Sequence, residues 1–242
     1  MILKSGRKIK GRHMMILYDL PISSYGCKTR ILLRHKNLKW QSIAPPDGYG
    51  SKAYCEIIPA GTIPALDDDG FKLCDSEAIA EYINEIAPTP AMLPVDAKDR
   101  ARARALSRFH DSRIEPVLRA YFGQVDPVNR DAGFIQNNTN LLQTRFEQLV
   151  EMVTPAPFLC GNTLSLADCG FVPSFALLSR LQPLLGFSID LDGSLRAYET
   201  ALANHPSVTD ELLSYYEAVD SWIKTKMNTD KVAQDITLTS MA

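Results

Sequence analysis

No apolar run in this chain approaches the roughly 20 residues of a membrane-spanning helix, so the sequence reads as globular, with no membrane partner. Close cysteine pairs are also missing. The five cysteines, at positions 27, 55, 74, 160 and 169, are odd in number and scattered. That argues against a disulfide framework and for a reducing, cytoplasmic setting. The four histidines, at 13, 35, 110 and 205, are equally isolated. Neither residue type shows metal-ligand spacing, and no metal site is expected. A basic stripe is absent beyond the first dozen residues, and the formal net charge is only −2. Without a cationic face, nucleic acid is not an expected partner. There is no internal repeat and no low-complexity tract.

The 242 residues suffice for two domains. Residues 1–14 stand apart: Lys4, Arg7, Lys8, Lys10 and Arg12 bring five positive charges and no acid. Lacking the apolar stretch of a secretory signal, they read as a leader, tag or unstructured tail, with a targeting peptide as the alternative. Without those five charges the formal net charge moves from −2 to −7. From residue 15 the order is strand (15–18), loop, helix (27–36), strand (40–43), a turn-rich stretch with a short helix, two strands around Asp67-Asp68-Asp69-Gly70, and a helix (76–86). Asp-Gly between apolar runs is a strong hairpin signal. This is a small α/β unit with a mixed sheet, bounded at 15–87. Pro88, Pro90 and Pro94 mark a linker at 88–96. The helical patterns that follow, to about 225, make an all-α domain: 96–122 with a bend at Pro116, 131–153, a very apolar 165–181, then 194–203 and 207–225. Residues 226–242 are polar and read as a frayed tail.

Ile58-Pro59-Ala60-Gly61-Thr62-Ile63-Pro64-Ala65-Leu66 is a loop feeding a strand through a proline. Proline lacks the N–H that an interior strand needs, so the backbone beside Pro64 is free to bind something else. A cis Ile63-Pro64 bond fits such a turn. Ten residues on, Asp75-Ser76-Glu77-Ala78-Ile79 opens a helix, whose free N–H groups and partial positive charge suit a carboxylate. A backbone edge beside an anion-binding helix start suits an extended, peptide-like ligand with a carboxylate at one end. In the second half, Ser165 and Asp168 form a capping box ahead of the apolar helix, a folding device.

In these motifs the chain resembles the cytosolic glutathione transferases: a thioredoxin-like unit with a proline-led third strand and an acid-Ser pair, then an all-helical domain. The match spans residues 15 to about 220. The segment Ser23-Ser24-Tyr25-Gly26-Cys27-Lys28-Thr29-Arg30-Ile31 is similar to the Ser-Ser-Cys-x-x-x-x-Arg-Ile segment of the zeta class, a serine-using, bacterial-type relative. It departs at Tyr25, where zeta has cysteine. The resemblance implies glutathione as co-substrate. Ile63, before Pro64, would pair with its cysteinyl backbone, and Asp75 and Ser76 would hold its γ-glutamyl end. Lys52 would reach the glycyl carboxylate, and Ser23 would be the thiolate donor. It also implies a homodimer acting on a small electrophile, in detoxification.

Alternatives remain open at the level of sequence. Ser24 can stand in for Ser23, either serine can be a plain helix cap, and Tyr18 lies where other classes place a catalytic tyrosine. Cys27, one turn inside the helix, reads as a packing residue. His110, Arg113 and Tyr121, with Phe122, fall on the long helix expected to face the electrophile, against a reading as ordinary surface and core. A serine meets the energetic requirement. Lowering a thiol pKa by roughly two units takes about 2.7 kcal/mol. A charge-assisted hydrogen bond gives about 1.5–3 kcal/mol, and a helix N-terminus about 0.3–1 kcal/mol. The expected activity is attack of glutathione thiolate on an electrophile. A maleyl-acid isomerase, a thiol–disulfide reductase and a non-catalytic glutathione-binding protein are the rivals.

Overall fold

A computed structural model describes residues 14–239, with side chains as far as 227. The reading of the first thirteen residues as a leader lies outside them. The first unit is built on a four-stranded sheet in the order β2-β1-β3-β4. Its strands are β1 (Met15–Tyr18), β2 (Trp40–Ile43), β3 (Ala65–Asp68) and β4 (Phe71–Cys74). β1 pairs parallel with β2 and antiparallel with β3, and β3 pairs antiparallel with β4, so the sheet is mixed. The parallel crossover is made by α1 (Ser24–His35), as a parallel pair requires. The β3–β4 hairpin turns through Asp69 and Gly70, both at positive φ (56° and 89°), the geometry that Asp-Gly prefers in a two-residue hairpin. α2 (Lys52–Cys55) and α3 (Ser76–Ile86) complete the unit. Ile63-Pro64 is cis, and β3 begins one residue later.

After the linker come α4 (Ala97–Phe109), a wide π turn (His110–Ile114), α5 (Glu115–Arg119) and a 3₁₀ stretch (Ala120–Gln124). The expected bend near Pro116 is this π turn. Proline has no N–H to offer the carbonyl one turn back, and its ring crowds that carbonyl, so the turn ahead of it opens. Helices α6 (Ala132–Met152), α7 (Leu166–Cys169), α8 (Phe171–Leu185), α9 (Gly193–Ala203) and α10 (Pro206–Thr239) follow. α10 continues beyond residue 226, where the polar tail is expected to begin, and no proline or glycine interrupts it after Pro206.

The core is continuous from Met15, Leu17 and Ile31 in the first unit to Phe146, Phe171 and Phe175 in the second. α8 is buried along most of its length, the central position its composition predicts. The Ser165–Asp168 box forms ahead of it. Asp168, fully buried, accepts from Ser165 N at 2.8 Å, Ser165 Oγ at 2.6 Å, Leu159 N at 2.9 Å and Tyr198 OH at 2.9 Å. It ties a helix start, a preceding loop and α9 to one carboxylate.

Candidate active site

A cleft of about 750 Å³ lies between the two units, within the usual range for small-ligand sites. One wall is the first unit: Ser23, Ile63, Pro64, Asp75 and Ser76, with Thr62 and Cys74. The facing wall is helical: Arg108, Asp111, Arg119, Phe122 and Trp222. Five residues singled out in the sequence thus meet at one place.

Ser23 is the N-cap of α1. Its Oγ accepts a hydrogen bond from Gly26 N at 3.0 Å, and its own proton points to no acceptor among the described residues. Ser24 is oriented differently. It is buried, and its hydroxyl donates to Glu115 Oε1 at 2.6 Å. Of two adjacent serines, one has its proton committed to a carboxylate and the other keeps it for the cleft. The first turn of α1 carries no acid to offset its positive end. Gly26 is required there: a Cβ would lie 1.9 Å from Asp19 Oδ1, so only glycine lets α1 approach the end of β1 this closely. Tyr25, the departure from the zeta pattern, lines the cleft with its ring under the Arg119 guanidinium at 5.1 Å, and its hydroxyl donates to the Asp111 carbonyl at 3.0 Å. Cys27 is fully buried, and burial pushes its thiol well above the ordinary range, away from the thiolate a nucleophile needs.

On the other side, Asp75 caps α3. Its Oδ1 accepts from Glu77 N (2.9 Å) and Ala78 N (3.0 Å), with its backbone at φ +78°. A non-glycine residue at that φ is strained, and such strain gathers at binding sites. Ser76, at the first position of α3, is 8% exposed and faces the cleft.

Below the cleft lies a buried ionic cluster. Lys28 Nζ meets Asp111 Oδ2 at 2.8 Å and Glu77 Oε2 at 2.5 Å, joining α1, α3 and the π turn. Burial alone would raise the Asp111 carboxyl, but the His110 hydrogen bond and the Lys28 charge hold it down at about 2.

Four residues expected at the site do not line the cleft. Lys52 is exposed at the start of α2 and does not line the cleft, because α2 turns that position to solvent. His110 is buried in the helical core, with Nε2 on Ser174 Oγ at 2.8 Å and its ring where a Cβ on Gly170 would sit. Tyr121 is buried against Phe187, its hydroxyl on Thr139. Arg113 points to solvent. The cleft is instead lined from Arg108, Asp111 and Arg119, together with Phe122, which is expected on this face from the sequence. With Glu115 between, these follow one another at spacings of three, four, four and three residues, one continuous helical face. That stripe was available in the sequence. Trp222, packed on Phe122 with ring centroids 4.6 Å apart, was not, since α10 reaches the cleft only in the folded chain.

Among the described residues no group of three or more His, Cys, Asp or Glu could hold a metal ion, and no helix is long and apolar enough to cross a membrane.

Residues 17–91 match the glutathione S-transferase N-terminal domain. The chain is 30% identical over 184 residues to the maleylpyruvate isomerase of a Ralstonia species, covering 69% of this chain and 84% of that one. It is 29% identical over 204 residues to a probable maleylacetoacetate isomerase of Drosophila melanogaster, covering 79% and 81%. Among solved structures, a maleyl pyruvate isomerase described as a bacterial glutathione S-transferase of the zeta class superimposes with a TM-score of 0.65 at 25% identity, covering 81% of this chain and 95% of that one. The cleft between a thioredoxin-like sheet and a helical domain, the two helix starts facing it and these likenesses lead to one conclusion: this chain belongs to the glutathione transferase family, on its zeta-like side.

Proposed function

We propose that Ser23 is the thiolate donor of this glutathione transferase, and that the acceptor is a small electrophile bearing a carboxylate. The observation that carries the first part is the unequal state of the two serines: Ser24 donates to Glu115, while the Ser23 proton is unclaimed. Glutathione would run along the Ile63–Pro64 edge, its γ-glutamyl carboxylate at the start of α3 against Ser76. Its sulfur would then lie at the start of α1. The Ser23 hydroxyl donates to the thiolate, the α1 N-terminus adds its partial charge, and no general base is needed.

In conjugation the thiolate electron pair forms the C–S bond and the leaving group departs with the pair of the bond that breaks. A cis alkene acid follows the same first step. Sulfur adds to one alkene carbon, the remaining single bond rotates, and expulsion of the thiolate restores the double bond. Arg108 and Arg119 on the facing wall, with Tyr25, Phe122 and Trp222, favour an anionic, flat acceptor. This makes maleyl-acid isomerisation, the activity named for the relatives, the second reading. A cytoplasmic homodimer working in detoxification or acid catabolism completes the proposal.

The test is glutathione consumption, or loss of cis isomer, across halides, epoxides, maleyl acids and aryl ethers. Turnover confined to neutral acceptors would overturn the anionic part. Mixed disulfide at Cys27 with no turnover would overturn the transferase chemistry in favour of a reductase.

A further inference from the structure

The loop that carries Ser23 makes no contact with α10 that is obvious from sequence, yet α10 holds it at two points. Tyr215, fully buried, donates its hydroxyl to the carbonyl of Ile22, the residue before Ser23, at 3.3 Å. Glu211, 1% exposed and one turn earlier, accepts from Arg30 Nε at 2.6 Å and Arg34 Nε at 3.0 Å. Arg30 in turn reaches the loop from α1: Nη2 donates to the Pro21 carbonyl at 3.2 Å, and Nη1 lies against the Leu20 carbonyl and pairs with Asp19. Ser23 N closes the loop on the Leu20 carbonyl at 2.9 Å. The carbonyls of residues 20, 21 and 22 are therefore all occupied, one by a residue of α10 and two by an arginine that α10 orients.

We infer that Tyr215 and Glu211 are positioning residues for Ser23, fixing its hydroxyl at the sulfur site from the opposite domain. Neither lines the cleft. The physical ground is that a donor must be held to a fraction of an ångström to favour an anion, and a buried bond network supplies that where a surface loop alone would drift. Glu211 also balances charge. Arg30 and Asp19 are both buried, and one Asp19 oxygen has no partner, so the second carboxylate keeps the guanidinium in a fixed plane. The inference rests on Ser23 being the thiolate donor.

The experiment measures thiolate absorbance of bound glutathione in the ultraviolet against pH, on the full chain, for wild type, Tyr215→Phe, Glu211→Gln, Ser23→Ala and Val208→Ala. Val208 is a buried apolar residue of α10, two turns before Tyr215, and its side chain has no hydrogen bond to give the loop. Its variant lowers the denaturant midpoint without touching Ser23. Tyr215→Phe removes one oxygen and keeps the ring, so folding is retained. The expected result is an apparent thiol pKa raised by about half a unit in Tyr215→Phe, in proportion to one neutral hydrogen bond. Glu211→Gln should give a similar or larger rise, Ser23→Ala the largest, and Val208→Ala none. Glutathione affinity by calorimetry stays within about twofold for Tyr215→Phe, since Ser76 and the Ile63 backbone are untouched. A pKa shift in Ser23→Ala with none in Tyr215→Phe and Glu211→Gln overturns the inference and leaves Ser23 standing. No shift in Ser23→Ala overturns both. A rise of equal size in Val208→Ala reduces the effect to general destabilisation and overturns the inference too.

Discussion

Ser24 and Glu115 stand 91 positions apart in the chain and 2.6 Å apart in the fold, hydroxyl to carboxylate, in a buried contact between α1 and α5. Glu115 is joined also to Arg119, which lies over the Tyr25 ring. One carboxylate thus fixes which of two adjacent serines keeps a free proton, and orients the cation on the helical wall of the cleft.

Removing each serine should therefore give opposite phenotypes. Ser23→Ala is expected to cut conjugation by roughly ten- to a hundredfold, about 1.4–2.7 kcal/mol, with glutathione affinity nearly intact. Ser24→Ala should keep the chemistry and lose about 1.5–3 kcal/mol of stability, the scale of one hydrogen bond to a charged partner. Steady-state rates and denaturant midpoints on both variants check the pair; the reverse pattern would transfer the donor role to Ser24.

Ser76→Ala is expected to weaken glutathione binding by roughly 1–2 kcal/mol, since its hydroxyl faces the cleft at the start of α3. Titration calorimetry reads this directly, and an unchanged Kd would take Ser76 out of the binding site.

Asp168→Ala should damage folding alone. Four neutral donors lose their acceptor in a fully buried place, where each buried donor left unsatisfied costs about 1–3 kcal/mol. A large drop in denaturant midpoint is expected, with normal turnover in whatever fraction folds.

Acid should loosen the joint between α1 and α10. His35 packs on His205, with ring centroids 5.3 Å apart, and its Nδ1 meets Ser207 Oγ at 3.1 Å. Burial, then His205 and Lys36, lower its pKa to about 4. The folded state holds this ring neutral below the unfolded value near 6.5. Its contribution is complete above pH 6.5 and is lost as pH falls toward 4. Replacing His35 by Gln should flatten the fall of the denaturant midpoint across that window. An identical slope in the variant would rule the joint out as the cause.

Sedimentation at micromolar concentration should show a dimer, with the isologous interface common to such oligomers. A monomer would leave the single cleft described above as the complete site.

Much of this architecture was readable in the chain because it rests on local rules. Asp69-Gly70 fixes a hairpin turn, Ser165 and Asp168 start a helix, and Pro64 ends strand pairing on its own side. Asp75-Ser76 opens α3 whatever the rest of the chain does. Ser23 and Ser24 are another matter. They are identical in type and adjacent, and each caps a helix plausibly, so nothing local distinguishes them. Glu115 decides between them from α5. In the same way His110 and Tyr121 have the composition of a site, and the tertiary packing against Gly170 and Phe187 puts them in the core. Glu211 and Tyr215 reach the first unit, and Trp222 reaches the cleft, from α10 only after the chain has closed. The sequence by itself determined which segments form helices and strands and which backbone edges and helix starts stay open, since those follow from neighbours a few residues away. The tertiary structure alone decided which side chains face the cleft and which hydroxyl is left unbonded there, since those depend on contacts between residues 91 to 193 positions apart.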